Sequence, residues 1–197
     1  MLNRIRVVTM LMMVLVIFAL LQLTSGGLFF SSLKQNQDSF AASNDLRMQQ
    51  SELTTTWDLM LQTRINLSRS SARMMMDPNN QQSSAKTELL KNARATLADA
   101  AKHYDAFKKI APQPAMAQAS ANIDEKYQAY FAGLTELVQF LEQGNMDAYF
   151  AQPTQGMQNA LGAALGEYAK ASGELYHSAF TQSQTHPPPP PPPPTPH

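Results

Sequence analysis

LRMQQSELTTTWDLMLQTRINLSRSSARM, residues 46–74, sets Leu46, Leu53, Met60, Leu67 and Met74 seven residues apart, with Trp57 at an intermediate position. At 3.6 residues per turn, every seventh side chain returns to nearly the same face of a helix. Three later segments repeat the pattern. The second carries Leu90, Ala93, Leu97, Ala100, Tyr104 and Phe107; the third, Ile123, Tyr127, Tyr130, Leu134, Leu137 and Leu141; the fourth, Met157, Leu161, Ala164, Tyr168 and Leu175. Steps of three and four lay each set on one apolar stripe. No stretch alternates with period two, which argues against a sheet.

The breaks between the segments are equally legible. Asp77-Pro78-Asn79-Asn80 ends the first helix, because proline donates no helical hydrogen bond and restricts the residue before it. Pro112 and Pro114 separate the second helix from the third. Gly144-Asn145 ends the third, and Pro153 suits the first turn of the fourth, where its missing N–H is no loss. A first helix from about residue 35 to 76 would be roughly 60 Å long. Such lengths with short connections predict an all-α, elongated, antiparallel four-helix bundle. A long first helix also offers a second stripe to a twin, so a homodimer is expected.

The N-terminus differs in kind. Arg4 and Arg6 precede an almost uncharged run, residues 7–30, and no acidic residue occurs before Asp38. Twenty-four helical residues reach about 36 Å, enough for a hydrocarbon core of roughly 30 Å. The positive-inside rule then leaves residues 1–6 cytoplasmic and carries the rest across an inner membrane into the periplasm. Ser25-Gly26-Gly27 also suits a cleaved leader, but the run is long for one and no A-x-A pattern follows. A single-pass transmembrane anchor over 7–30 is therefore expected, then a periplasmic domain over 31–180. Residues 181–197 form a tail with eight consecutive prolines, Pro187 to Pro194, expected to be extended and disordered.

Composition excludes several functions. The 197 residues hold 15 basic and 15 acidic side chains, with the basic ones scattered and without aromatic interleaving, so no nucleic-acid partner is implied. There is no cysteine, hence no disulfide or thiolate chemistry. His103, His177, His186 and His197 lack metal-ligand spacing, and no catalytic or phosphate-loop motif occurs. Asp124 and Glu125 are neighbours that point about 100° apart on a helix, which reads as a solvated face. Asn66-Leu67-Ser68 matches a glycosylation sequon, but mid-helix. Neither an enzyme nor a cofactor is indicated.

One constellation stands out. Arg64, Arg69 and Arg73 fall within ten residues, and no Asp or Glu lies between Asp58 and Asp77. Setting Arg4 and Arg6 aside leaves 13 basic against 15 acidic residues, so this cluster forms in a slightly acidic region. The plain reading is pairing with acids on neighbouring helices. The sharper one is an anion site, because guanidinium forks match carboxylates. At about 100° per residue, Arg69 and Arg73 sit some 40° apart, whereas Arg64 lies about 140° and 180° from them. One helix cannot aim all three at one small ligand. Two copies side by side can, with Arg64 of one converging on Arg69 and Arg73 of the other.

A second wall is Tyr149-Phe150-Ala151-Gln152-Pro153-Thr154, where irregular backbone is expected to leave carbonyl oxygens free and Thr154 adds a hydroxyl. Acceptors suit an ammonium group, as guanidiniums suit carboxylates. Together they would select a small amino dicarboxylate. Read alone this wall is weaker, since Tyr149 and Phe150 also suit a core.

The blocks Leu61-Gln62-Thr63-Arg64-Ile65-Asn66-Leu67-Ser68-Arg69 and Tyr149-Phe150-Ala151-Gln152-Pro153-Thr154-Gln155-Gly156 resemble the enterobacterial methyl-accepting chemotaxis receptors, above all the aspartate-binding branch. The resemblance covers residues 1–180. It implies a homodimeric periplasmic bundle that binds aspartate between subunits, with Arg64, Arg69 and Arg73 on the carboxylates. Tyr149 and Gln152, through backbone carbonyls, and Thr154, through its hydroxyl, would receive the ammonium; Ser68 matches the aspartate-type site and Phe150 lies in the same wall. Related receptors take serine, citrate or ligand-loaded periplasmic binding proteins. In the family, binding shifts the fourth helix and controls a cytoplasmic kinase. Here the proline tail stands where the family continues into a second membrane helix and a signalling hairpin, so a truncated product without autonomous signalling is expected. The alternative is an interaction protein that dimerises with full-length chemoreceptors and interferes with them.

Overall fold

The computed structural model describes residues 2–76 and 84–185; the Asp77-to-Asn80 break and the proline tail lie outside the described residues. Every regular element among them is helical: α1 (Leu2–Met76), α2 (Ser84–Lys109), a 3-10 turn (Pro114–Met116), α3 (Ala117–Glu142), α4 (Met146–Ala151) and α5 (Thr154–Thr185). The chain divides into two units, residues 1–43 and 44–197.

In the first unit, the apolar side chains Met12, Met13, Val14, Leu15, Val16, Ile17, Phe18 and Leu21 are all more than half exposed. Among the described residues no helix is long and apolar enough to cross a membrane. Within 7–30, however, side chains are described only at 12–19, 21 and 22, so most of the expected span falls outside them.

The second unit is a helical bundle. Hydrogen bonds fix the direction of its helices, because the partner number falls as the residue number rises. Between α1 and α2, Gln49 Nε2 donates to the Ile110 carbonyl at 2.8 Å and the Thr63 and Thr96 hydroxyls lie 2.7 Å apart. Between α2 and α3, Arg94 pairs with Glu142 and Tyr104 donates to Asp124 at 2.6 Å. Between α3 and α5, Asn122 donates to Glu167 and Tyr130 to Gln158. The four long segments therefore run up, down, up and down.

Every residue of the first three expected stripes is buried. On the fourth, Leu161, Ala164 and Tyr168 are buried, while Met157 and Leu175 are partly buried against the core. Alternation on α1 holds a surprise. Between the buried apolar positions stand Gln49, Thr56, Thr63 and Ser70, all 3% exposed or less. Thr56 and Thr63 satisfy their hydroxyls on the carbonyls of Glu52 and Leu59, one turn earlier. Burying a polar group costs little when it is bonded, as Gln49, Thr56 and Thr63 are; of these four, the Ser70 hydroxyl is buried without a partner.

The turns carry their own causes. Gly144 takes φ 70°, a left-handed conformation glycine adopts without a Cβ clash. Asn145 then caps α4, its side-chain oxygen accepting the Ala148 N–H at 3.1 Å. Pro153 stands just before α5 rather than within its first turn. Its carbonyl accepts the Met157 N–H at 3.4 Å, which makes it the capping residue. Asp124 is likewise not simply solvated, since it takes the Tyr104 hydroxyl and Lys108 at 3.1 Å. The Tyr104 bond, more than Lys108, holds its carboxyl below the usual range.

Candidate ligand site

Arg64 leaves α1 toward α5. Its Nη1 donates to the Gln158 side-chain oxygen, and the Tyr130 hydroxyl donates to the same oxygen at 3.2 Å. Gln158 stands four residues after Thr154, so both project from one face of α5, a turn apart. Arg64 is thereby held, half-buried, near the start of that helix. Its anchor is a neutral amide, which orients the guanidinium without cancelling its charge.

Ser68, Arg69 and Arg73 are exposed further along α1. Ion pairs among the described residues involve Lys91, Arg94, Lys102, His103, Lys108 and Lys126 as the basic partners. None of these pairs involves Arg64, Arg69 or Arg73. A single copy brings Arg64 to Gln158, one turn beyond Thr154, and leaves the other two guanidiniums on a different side of α1.

That wall is more ordered than expected. Met146–Ala151 is helical, and the irregular backbone is confined to Gln152 and Pro153. Tyr149 is half-buried against the core and meets the Phe150 ring edge-on, centroids 5.2 Å apart, while Phe150 is 60% exposed. Four residues beyond Tyr149 stands Pro153, which has no N–H to offer the Tyr149 carbonyl. The Gln152 carbonyl was expected to be free. Instead it accepts the Thr154 N–H at 2.9 Å and keeps one lone pair. Thr154 is 4% exposed and donates its hydroxyl to Gln152 Oε1 at 2.7 Å, while Gln152 Nε2 donates to the Glu136 carboxylate.

Three participants escaped the sequence reading: Gln158, Tyr130 and Glu136. The four-residue step from Thr154 could have signalled Gln158. Tyr130 was counted as core, which it also is, and nothing local marks Glu136. Elsewhere, a groove of about 220 Å³ runs between α1 and α5, lined by Leu53, Trp57, Gly162 and Tyr168 among others. It contains none of the expected site residues. Among the described residues no group of His, Asp and Glu could hold a metal ion.

Fold and sequence together define a helical ligand-binding domain of the chemoreceptor type. The chain belongs to the family of Tar ligand binding domain homologues, whose model matches residues 1–174. It is 39% identical over 185 residues to methyl-accepting chemotaxis protein I of Escherichia coli strain K12. Identity is 29% to the methyl-accepting chemotaxis aspartate transducer of Klebsiella aerogenes, and 29% to the citrate transducer of Salmonella typhimurium. Each match covers 93% of this chain and 34% of the relative, so the chain spans about a third of the length of these proteins. The fold is similar to the crystal structure of the N-terminal ligand-binding domain of a Salmonella enterica methyl-accepting chemotaxis protein. That likeness has a TM-score of 0.53 at 19% identity and covers 70% of this chain and 98% of the other.

Proposed function

We propose that this chain is the sensory part of a chemotaxis receptor and binds aspartate, or a close amino dicarboxylate, between two copies of itself. One observation carries the reading: among the described residues Arg64, Arg69 and Arg73 have no acidic partner, and Arg64 is held by Gln158, one turn along α5 from Thr154. Identity alone does not choose the ligand, since the aspartate and citrate transducers are equally similar. Chemistry does. Citrate has carboxylates for the guanidiniums but no ammonium for the acceptors.

Two copies are needed because Arg69 and Arg73 project from α1 about 140° and 180° away from Arg64. Ser68 lies on the same stretch, and Tyr149 and Phe150 form the outer edge of the wall. Charge-assisted hydrogen bonds of about 1.5–3 kcal/mol each support micromolar affinity, near −8 kcal/mol. We further propose that residues 7–30 anchor the chain in the inner membrane, with residues 1–6 cytoplasmic and the bundle periplasmic. The exposed apolar side chains between Met12 and Leu21 support this.

Titration calorimetry of the purified chain with aspartate tests the site. Arg64→Ala is expected to weaken binding at least about tenfold with helicity unchanged. Unaltered affinity would remove Arg64 from the site and the proposal with it.

A further inference from the structure

We propose that Glu136, a residue of α3 outside the expected site, sets the ligand's chemical class by fixing the hydrogen-bond polarity of Thr154. This rests on the site proposed above and deepens it.

The argument runs along three groups. A carboxylate only accepts hydrogen bonds, so the group that meets Glu136 must donate. Gln152 is that group, and its Nε2 faces the Glu136 carboxylate. A carboxamide has one donor end and one acceptor end, so its Oε1 is then committed to the opposite side. There it lies 2.7 Å from Thr154 Oγ1. An amide oxygen cannot donate, so the Thr154 hydroxyl must. Its proton is spent inward on Gln152, and only lone pairs are left for a ligand. The backbone agrees: the Thr154 N–H is spent on the Gln152 carbonyl at 2.9 Å, and Pro153 has no N–H.

Toward a ligand the Thr154 hydroxyl is therefore acceptor-only. It favours an ammonium donor and repels a carboxylate, although a helix start would ordinarily attract anions. Without Glu136 the Gln152 amide is free to turn over, Thr154 is free to offer its proton, and the discrimination collapses. Glu136 is exposed and Gln152 half-buried, so neither is required to build the core. Glu136 acts as a positioning residue, through Gln152.

The experiment compares aspartate with succinate, its des-amino analogue, by calorimetry on the full chain. The variants are Glu136→Ala, Glu136→Gln, Gln152→Ala and the double variant Glu136→Ala/Gln152→Ala. Glu136→Ala is expected to reduce the aspartate-to-succinate preference about tenfold, with thermal unfolding unchanged. Glu136→Gln, whose amide can donate as well as accept and so no longer fixes the direction of Gln152, is expected to retain only part of it. The double variant should be no worse than Gln152→Ala, because both lie on one path. An unchanged preference in Glu136→Ala, or full additivity in the double variant, overturns the assignment. Failure of the unaltered chain to bind aspartate overturns the site reading itself, and this inference with it.

Discussion

Tyr168 on α5 donates its hydroxyl to the side-chain oxygen of Gln49 on α1 at 2.9 Å, joining residues 119 positions apart inside the core. The same Gln49 donates through Nε2 to the Ile110 carbonyl just beyond α2, so one side chain ties three helical segments together. Its removal strands both partners, and each unsatisfied buried group costs about 1–3 kcal/mol. Gln49→Leu should therefore destabilise the bundle by roughly 2–4 kcal/mol. Tyr168→Phe, which leaves one acceptor unmet, should cost only about 1. Urea unfolding of both variants checks the order; equal losses would mean that Gln49 is not the hub.

Gly133 on α3 leaves little room for a side chain beside α5. A Cβ there would meet the Met157 sulfur at 2.7 Å, with Gln152 Nε2 at 3.9 Å. Alanine would gain up to about 1 kcal/mol in helix propensity and lose a similar amount or more by overpacking. Methionine is adaptable, so Gly133→Ala should stay within about 1 kcal/mol of the parent. Gly133→Leu has no such relief and should lose about 2–3 kcal/mol. Chemical unfolding separates these outcomes, and a leucine variant as stable as the parent would show that the helices stand further apart.

Why was the bundle legible when much of the site was not? A stripe such as Leu90 to Phe107 is local: its period is set by the helix, and burial follows from periodicity alone. Gly144 and Asn145 are local too, since backbone strain and capping are settled within a few residues. The polar seam of Gln49, Thr56, Thr63 and Ser70 was missed because hydrophobic periodicity counts polar residues as outward-facing. Gln49, Thr56 and Thr63 find partners one turn back or on another helix, which reverses that. Glu136 and Gln158 became relevant only when α3, α1 and the α4–α5 break met in space. The free carbonyl expected at Gln152 failed for a nearby reason: the break is tight enough for Thr154 to reach back and occupy it.

Stability should fall at both ends of the pH scale, by different groups. Burial raises the Tyr130 and Tyr168 hydroxyls from 10.0 to about 12, although Arg64 acts against this at Tyr130. Above pH 10 the unfolded chain loses these protons while the folded one keeps them, so stability present below pH 10 is lost as pH rises toward 12. At the acid end, the Asp124 carboxyl is held below its usual range. Its contribution is present above about pH 4 and is lost as pH falls through the folded value. That increment is small, because Asp124 is 38% exposed. Tyrosinate absorbance and helical circular dichroism should move together between pH 10 and 12, and Tyr104→Phe should make the acid-side loss shallower and, because burial also raises the Tyr104 hydroxyl, the alkaline loss too. Buried tyrosines that ionise near pH 10 with helicity intact would contradict this.

A shared site makes a sharper demand on the arginines. Arg64→Ala and Arg73→Ala should each abolish most binding, because each pure dimer loses the same guanidinium from both of its sites. In a mixed dimer the two defects fall together: one site lacks both groups, and the other combines the intact Arg64 of one chain with the intact Arg73 of its partner. Co-expression of the two variants under separate tags, followed by tandem purification, should therefore recover one aspartate per dimer at close to parental affinity. Neither substitution should lower stability by more than about 0.5 kcal/mol, since Arg73 is exposed and Arg64 rests on a neutral amide. If each chain instead carried a complete site of its own, mixing would recover nothing. Binding by the mixed dimer but not by either parent is open only to a ligand held across two copies of α1.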